Sequence, residues 1–282
     1  MKRLRIEHQT GFAYAGDVTA SYNEARMLPV TTEAQFVLLA SLDIEPHTAV
    51  STYVDYFGTQ VSAFDVLSGH DDLTITARSL VEVRSRAFTP VPTTWDALRA
   101  DSQRAVEVVE QLQQTPKTVP HDEVRALANE IAGRHADPDA AALEILTAVG
   151  DAMEYVFGVT NVQTTAAEAW AARKGVCQDI THVALGALRS VGIPARYVSG
   201  YLHPQKDPVV GEAVPGESHA WVEWFVAGRW QAFDPTNGIE IGDRHVLVAR
   251  GRDYGDVPPL RGVYSGPTKS DLHVTVTITR EA

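Results

Sequence analysis

The chain has 282 residues, 44% hydrophobic and 21% charged, enough to bury a substantial core in more than one structural unit. A formal net charge of -12 leaves no concentration of lysine and arginine for phosphate, which excludes nucleic acid as the expected partner. No apolar run approaches bilayer length and the N-terminus lacks the apolar stretch of a secretory signal, so the expectation is a cytoplasmic protein with no membrane partner.

In chain order, the basic start Lys2, Arg3 and Arg5 reads as the solvated face of a first strand. Residues 1–90 carry short β-branched and aromatic runs, at 48–57, 60–67 and 73–83, broken by Gly, Asp, Asn and Pro. That is the signature of an antiparallel β domain. Leu73, Ile75 and Ala77 approximate a period of two, as in a sheet that buries one face. The Pro-containing stretch 89–94 reads as a linker into a helical segment, 91–157. There Val124, Leu127 and Ile131 form one apolar stripe and Leu146, Val149, Met153 and Val156 another, with Asp137, Pro138 and Asp139 supplying the turn and cap between them. After Gly158, residues 158–282 turn to mixed structure. Helices are expected at 166–173 and 177–191, strands at 195–202, 219–226, 229–233 and 273–278, the last as an edge or closing strand, and an exposed loop at 203–217.

Cys177 is the lone cysteine and cannot form an internal disulfide. By count alone a single cysteine is more often a small buried hydrophobe than a working thiol. Its position argues otherwise. The segment from Gly175 to His182 leads into an apolar helical run through Val183, Leu185, Leu188 and Val191, closed by Gly192 and Pro194. This places Cys177 at a helix N-terminus, where unpaired N–H groups and the helix dipole favour the thiolate, and where the same N–H groups can hold an oxyanion.

A cysteine nucleophile needs a base, and histidine suits neutral pH. His182 lies one turn along the same helix and reads as a packed residue. His219 opens an alternating strand whose faces divide into His219, Trp221, Glu223, Phe225 and Ala220, Val222, Trp224, Val226. Ala227-Gly228 then turns the chain into a strand ending at Asp234. With a two-residue turn Val226 pairs with Arg229, and Asp234 falls opposite Trp221, diagonal to His219 on the same face. A three-residue turn without a bulge puts Asp234 on the other face, so this inference hangs on the turn.

These residues resemble the transglutaminase-like superfamily. Gly175 to His182, Gly192 to Tyr201, Ser218 to Val222 and Trp230 through Asn237 are similar to its core, and Tyr22 to Arg26, Leu28-Pro29 and Asp55 to Thr59 to the β-rich domain that precedes it in bacterial members. The resemblance implies an α+β chain, an N-terminal antiparallel β domain followed by a papain-like core. It further implies Cys177 as nucleophile, His219 as general base and then acid, and Asp234 as orienting carboxylate. A peptidase or amidase acting on a protein or peptide through a thioester is the favoured activity, a protein-crosslinking transglutaminase the alternative, and a non-catalytic binding module on the same core the reading from another class. Gln178 and Trp170 are weak candidates for a side-chain oxyanion donor. No cofactor motif is found, no loop has calcium-ligand spacing, and the set Cys177, His182, His203 and His219 matches no zinc pattern.

Overall fold

The computed structural model describes residues 1–85, 92–267 and 269–282. The first part of the chain is all strand: β1 (Lys2–Val18), β2 (Ala20–Ala25), β3 (Gln35–Glu45), β4 (Val50–Val54), β5 (Gln60–Val66) and β6 (His70–Val83). Helices follow: α1 (Trp95–Ser102), α2 (Val106–Val109), α3 (Asp122–Arg134) and α4 (Pro138–Asp151). The rest is mixed: β7 (Glu154–Tyr155), α5 (Ala166–Ala172), β8 (Lys174–Gly175), α6 (Cys177–Ser190), β9 (Ala195–Leu202), β10 (Ala213–Val226), β11 (Arg229–Asp234), β12 (Ile239–Glu240), β13 (His245–Gly251), β14 (Leu260–Ser265) and β15 (Ser270–Arg280). The fold is α+β with a β-rich N-terminal region.

A nine-stranded sheet runs β12-β11-β10-β15-β1-β6-β3, with β9 bridging β10 and β13, and a four-stranded sheet runs β14-β2-β5-β4. Leu73, Ile75 and Ala77 of β6 are buried with Phe64, Val66, Met27 and Leu28 between the N-terminal strands, as the period of two requires. The larger core packs α3, α4, α5 and α6 against the nine-stranded sheet. Val124 and Ile131 of α3, Leu146 and Val149 of α4, and Ile180, Val183, Ala184 and Leu188 of α6 meet Ala220, Val222, Trp224 and Val226 of β10. Trp224 also donates from its indole N–H to Asp139 at 2.8 Å, fixing α4 to the strand.

The helix signals hold at α4, where Asp137 accepts from the N–H of Asp139 and Pro138 fills the first turn. The second apolar stripe overruns the helix, because α4 stops at Asp151 and Val156 lies beyond β7. The linker expected at 89–94 falls partly outside the described residues; Thr94 caps α1, accepting from the N–H of Ala97.

Two strand readings need correction. Residues 203–217 are not all loop: β10 begins at Ala213, and His219 lies within it. Pro215 and Gly216 gave loop signals, yet Ala213–Gly216 pair with Thr279–Val276 of β15. A Cβ on Gly216 would lie 2.7 Å from Ile278, so the glycine permits a close strand approach rather than a turn. The run 273–278 closes the sheet from within: β15 lies between β10 and β1. Among the described residues no helix is long and apolar enough to cross a membrane.

Candidate active site

Cys177, half-buried, is the first residue of α6. The N–H groups of Asp179 and Ile180 both donate to the Val176 carbonyl, at 3.0 and 3.1 Å, so the intrahelical ladder starts there and the N–H groups of Cys177 and Gln178 precede it. Asp179 folds back over the helix start. Its Oδ2 accepts from the Val176 N–H at 2.9 Å and from Thr160 at 2.6 Å, which ties the loop before α5 to the N-terminus of α6.

The second half of the site is the β10–β11 hairpin. Its register runs from Val226 opposite Arg229 to Val222 opposite Phe233. The two-residue turn has positive φ at both positions, 48° at Ala227 and 75° at Gly228, which is the type I′ turn that matches strand twist. One further step of that register sets Asp234 against Trp221, on the face of His219. There Nε2 of His219 lies 2.7 Å from Oδ2 of Asp234. Nε2 being committed to the carboxylate, Nδ1 is the ring nitrogen left for the thiol of Cys177.

The electrostatics are those of a coupled set. Burial opposes charge on His219, but hydrogen bonds to Asp234 and Cys177, together with their negative charge, outweigh it and raise the imidazolium pKa to about 10. Burial likewise opposes ionisation of Asp234, which has no exposed side-chain surface; bonds from His219 and His245, the imidazolium charge and Asn237 hold it well below the usual carboxylate range. Its Oδ1 takes the N–H groups of Thr236 and Asn237, at 3.0 and 3.2 Å, and Oδ2 also takes the Asn237 amide at 2.8 Å. A carboxylate satisfied this fully is a fixed orienting group.

The structure thus brings Cys177, His219 and Asp234 together and sets the other candidates apart. His182 is wholly buried, its Nε2 accepting from the Tyr254 N–H at 3.2 Å, and burial lowers its pKa to about 3, leaving it a neutral packing residue. The indole N–H of Trp170 is spent on Glu123 at 3.1 Å. Gln178 stands beside Cys177 with no hydrogen bond to its amide among the described residues. His203 is wholly buried, its Nδ1 accepting from the Gln205 N–H at 3.3 Å.

Among the described residues the one group with metal-ligand chemistry is instead His219, Asp234 and His245. Two ligands of a tetrahedral zinc ion stand about 3.3 Å apart, given bonds of about 2.0 Å. The 2.7 Å between His219 and Asp234 is a hydrogen-bond distance.

Sequence reasoning missed His245. Its Nδ1 accepts from the Gly242 N–H at 3.2 Å, so Nε2 carries the hydrogen and points at Asp234 Oδ2, 3.4 Å away. It enters from β13, which reaches the hairpin only through β9, and no local pattern announces that. Asn237 had a usable signal, since an Asn three residues after an Asp at a turn is placed to bond that carboxylate.

Two family sequence models match the chain: the transglutaminase-like superfamily over residues 125–235 and the bacterial transglutaminase-like N-terminal region over residues 4–82. An uncharacterized protein of Mycobacterium leprae is 42% identical over 284 aligned residues, covering 100% of both chains. A protein-glutamine gamma-glutamyltransferase of Pseudomonas aeruginosa is 30% identical over 164 residues, 53% of this chain and 24% of that protein. Among solved structures, a Cytophaga hutchinsonii protein described provisionally as a cysteine protease has a TM-score of 0.75 at 19% identity, over 99% of this chain and 97% of its own. At that identity the likeness is one of fold.

Proposed function

This chain belongs to the transglutaminase-like superfamily, and from that premise we propose that it is a thiol amidase or peptidase whose nucleophile is Cys177. The observation that carries the proposal is the 2.7 Å bond between His219 and Asp234, with the other ring nitrogen left to the thiol at the start of α6. In the reaction the thiolate attacks the carbonyl carbon of a peptide or carboxamide group of a protein or peptide substrate. The oxyanion is held by N–H groups at the helix start. The imidazolium of His219 gives its Nδ1 proton to the departing amine or ammonia as the C–N bond breaks, leaving a thioester on Cys177. Water, deprotonated at the same nitrogen, then attacks the thioester and releases the acid and the thiol. Asp234 stays ionised throughout and holds the ring and its tautomer.

A second reading hands the acyl group to a lysine amine instead of water; the name of the Pseudomonas aeruginosa relative supports it. A non-catalytic module is disfavoured by the intact charge set around Asp234, which a binding role does not need.

The test has two parts. Alkylation of Cys177 followed against pH is expected to be fast at neutral pH; reaction only above about pH 8, as for an ordinary thiol, overturns the proposal. Products from a peptide library, compared between the wild type and Cys177→Ala, then separate the readings. Free acid supports hydrolysis and amine adduct supports transfer. If neither product depends on Cys177, the enzymatic reading fails.

A further inference from the structure

Ala220, Val222 and Trp224 of β10 pack against the helices, so Trp221 and Glu223 of the same strand face the other side of the sheet. On that side Arg196, Glu223 and Ala232 form a row, set abreast by the pairing of β10 with β9 and β11. A cavity of about 390 Å³ lies along this row and is lined also by residues 32–35 and 83–84 of the N-terminal region. His245 stands in its wall and points Nε2 at Asp234, 3.4 Å away, so the cavity lies one side chain behind the proposed triad.

The buried charges in the cavity wall do not balance. Glu223 is shared by two arginines, accepting from Nε of Arg196 at 2.6 Å and from Nε and Nη2 of Arg250 at 2.8 and 3.1 Å. None of the three side chains is more than 25% exposed, so one carboxylate and two guanidinium groups leave one positive charge over, largely out of water. On each arginine Nη1 has no hydrogen bond among the described residues, and neither Nη1 is sealed from solvent. Trp230 stacks on Arg196, 3.8 Å from guanidinium carbon to ring centre, and holds its plane. Trp221, 1% exposed, belongs to the same lining, and its indole N–H has no acceptor among the described residues. Val83, Ile241 and Leu247 add apolar surface. Glu33, Arg84 and Glu240 also reach the cavity, but they are exposed and water weakens their fields.

We propose that this cavity binds a small organic monocarboxylate, its oxygens taken by Nη1 of Arg196 and Nη1 of Arg250 and its apolar chain lying against Trp221 and Leu247. The valence follows from the charge count. A monoanion brings the two arginines and Glu223 to neutrality, whereas a phosphate dianion leaves a negative charge unpaired in a largely dry site. Two oxygens also match two unspent donors. The site is separate from Cys177 and independent of the chemistry proposed for that residue.

Isothermal titration calorimetry on the full-length protein tests this, with straight-chain alkanoates from butanoate to octanoate and the matching amides as neutral controls. The wild type is expected to bind the acids saturably, one per chain, with affinity rising by up to about fourfold per added methylene until the cavity is filled. Binding is expected to be unchanged after alkylation of Cys177. The amides are expected to bind at least about tenfold more weakly, and Arg250→Gln to weaken the acids as much, since it removes one donor and the surplus charge. Ala232→Leu keeps every charge and narrows the cavity from the β11 wall. It is expected to weaken octanoate at least about tenfold, and it decides the matter if Arg250→Gln fails to fold. The site is overturned by absence of saturable binding to the wild type, by equal binding of acids and amides, or by binding that alkylation of Cys177 blocks. Acid binding left unchanged by Ala232→Leu, or by a folded Arg250→Gln, overturns it equally.

Discussion

Asp234 accepts four hydrogen bonds between 2.7 and 3.2 Å, from His219, Thr236 and both nitrogens of Asn237, and faces His245 at 3.4 Å. That concentration of donors on a fully buried carboxylate explains why a histidine with little exposed surface can remain charged. The His219 pKa is raised above its ordinary value, so the stabilisation it brings is complete below about pH 6.5 and is lost as pH rises through about 10. Asp234→Ala is expected to remove most of this elevation. Nuclear magnetic resonance of the His219 ring should then show titration at least one pH unit lower, and turnover should fall by about a hundredfold. Asn is the weaker test, since its amide oxygen can still accept from the imidazole. Titration of the variant at the wild-type pH would disprove the role given to Asp234.

At the scale of the element, the hairpin is the part on which the site depends, and its turn is imperfect. Ala227 stands at φ 48°, a left-handed conformation that costs an L residue with a Cβ about 1 kcal/mol, where Asn is favoured. Ala227→Asn is therefore expected to raise stability by about 0.5–1 kcal/mol with Cys177 reactivity unchanged, measured as the urea midpoint and the alkylation rate. A lower midpoint would mean that the turn is held by something other than its dihedral angles. β10 itself was only half legible. From Ser218 onward its alternation is regular, but its first residues hold Pro215 and Gly216 and become strand because β15 returns from the end of the chain to pair with them.

At the scale of the molecule, the N- and C-terminal segments are knitted into shared sheets: β15 joins β10 to β1, and β14 pairs with β2. A buried charge cluster lies on the hairpin and its flanking strands. Glu223 of β10 binds Arg196 of β9 at 2.6 Å and Arg250 of β13 at 2.8 Å. Burial opposes its ionisation, yet the two guanidinium groups lower its pKa to about 2. With a depressed folded pKa, its stabilisation is present above about pH 4.5 and is lost as pH falls toward 2. Glu223→Gln is expected to cost on the order of 3–5 kcal/mol at pH 7, because two largely buried cations lose their carboxylate. The variant should also show a shallower loss of stability between about pH 4.5 and 2 than the wild type. Equal acid sensitivity in both proteins would assign that loss to other carboxylates.

How much was readable beforehand differs by residue, for a physical reason. Cys177 was legible because a helix start is a local event, written in an apolar period and a closing Gly192-Ile193-Pro194 within some eighteen residues. The pairing of His219 with Asp234 was legible conditionally, since strand alternation is local but the face taken by Asp234 depended on a turn type that only the dihedral angles of Ala227 and Gly228 decide. His245, Tyr155 and Glu217 were silent. The first reaches Asp234 through the pairing of β13 with β9, and the other two, 62 positions apart in the chain, meet only in the folded protein. By itself the sequence indicated most of the elements, the resemblance to the family and Cys177, His219 and Asp234 as the candidate residues, because these rest on periodicity and short-range motifs. The tertiary structure alone decided the register that aims Asp234 and the second histidine behind it, because each depends on strand pairing whose geometry exists only once the sheets have closed.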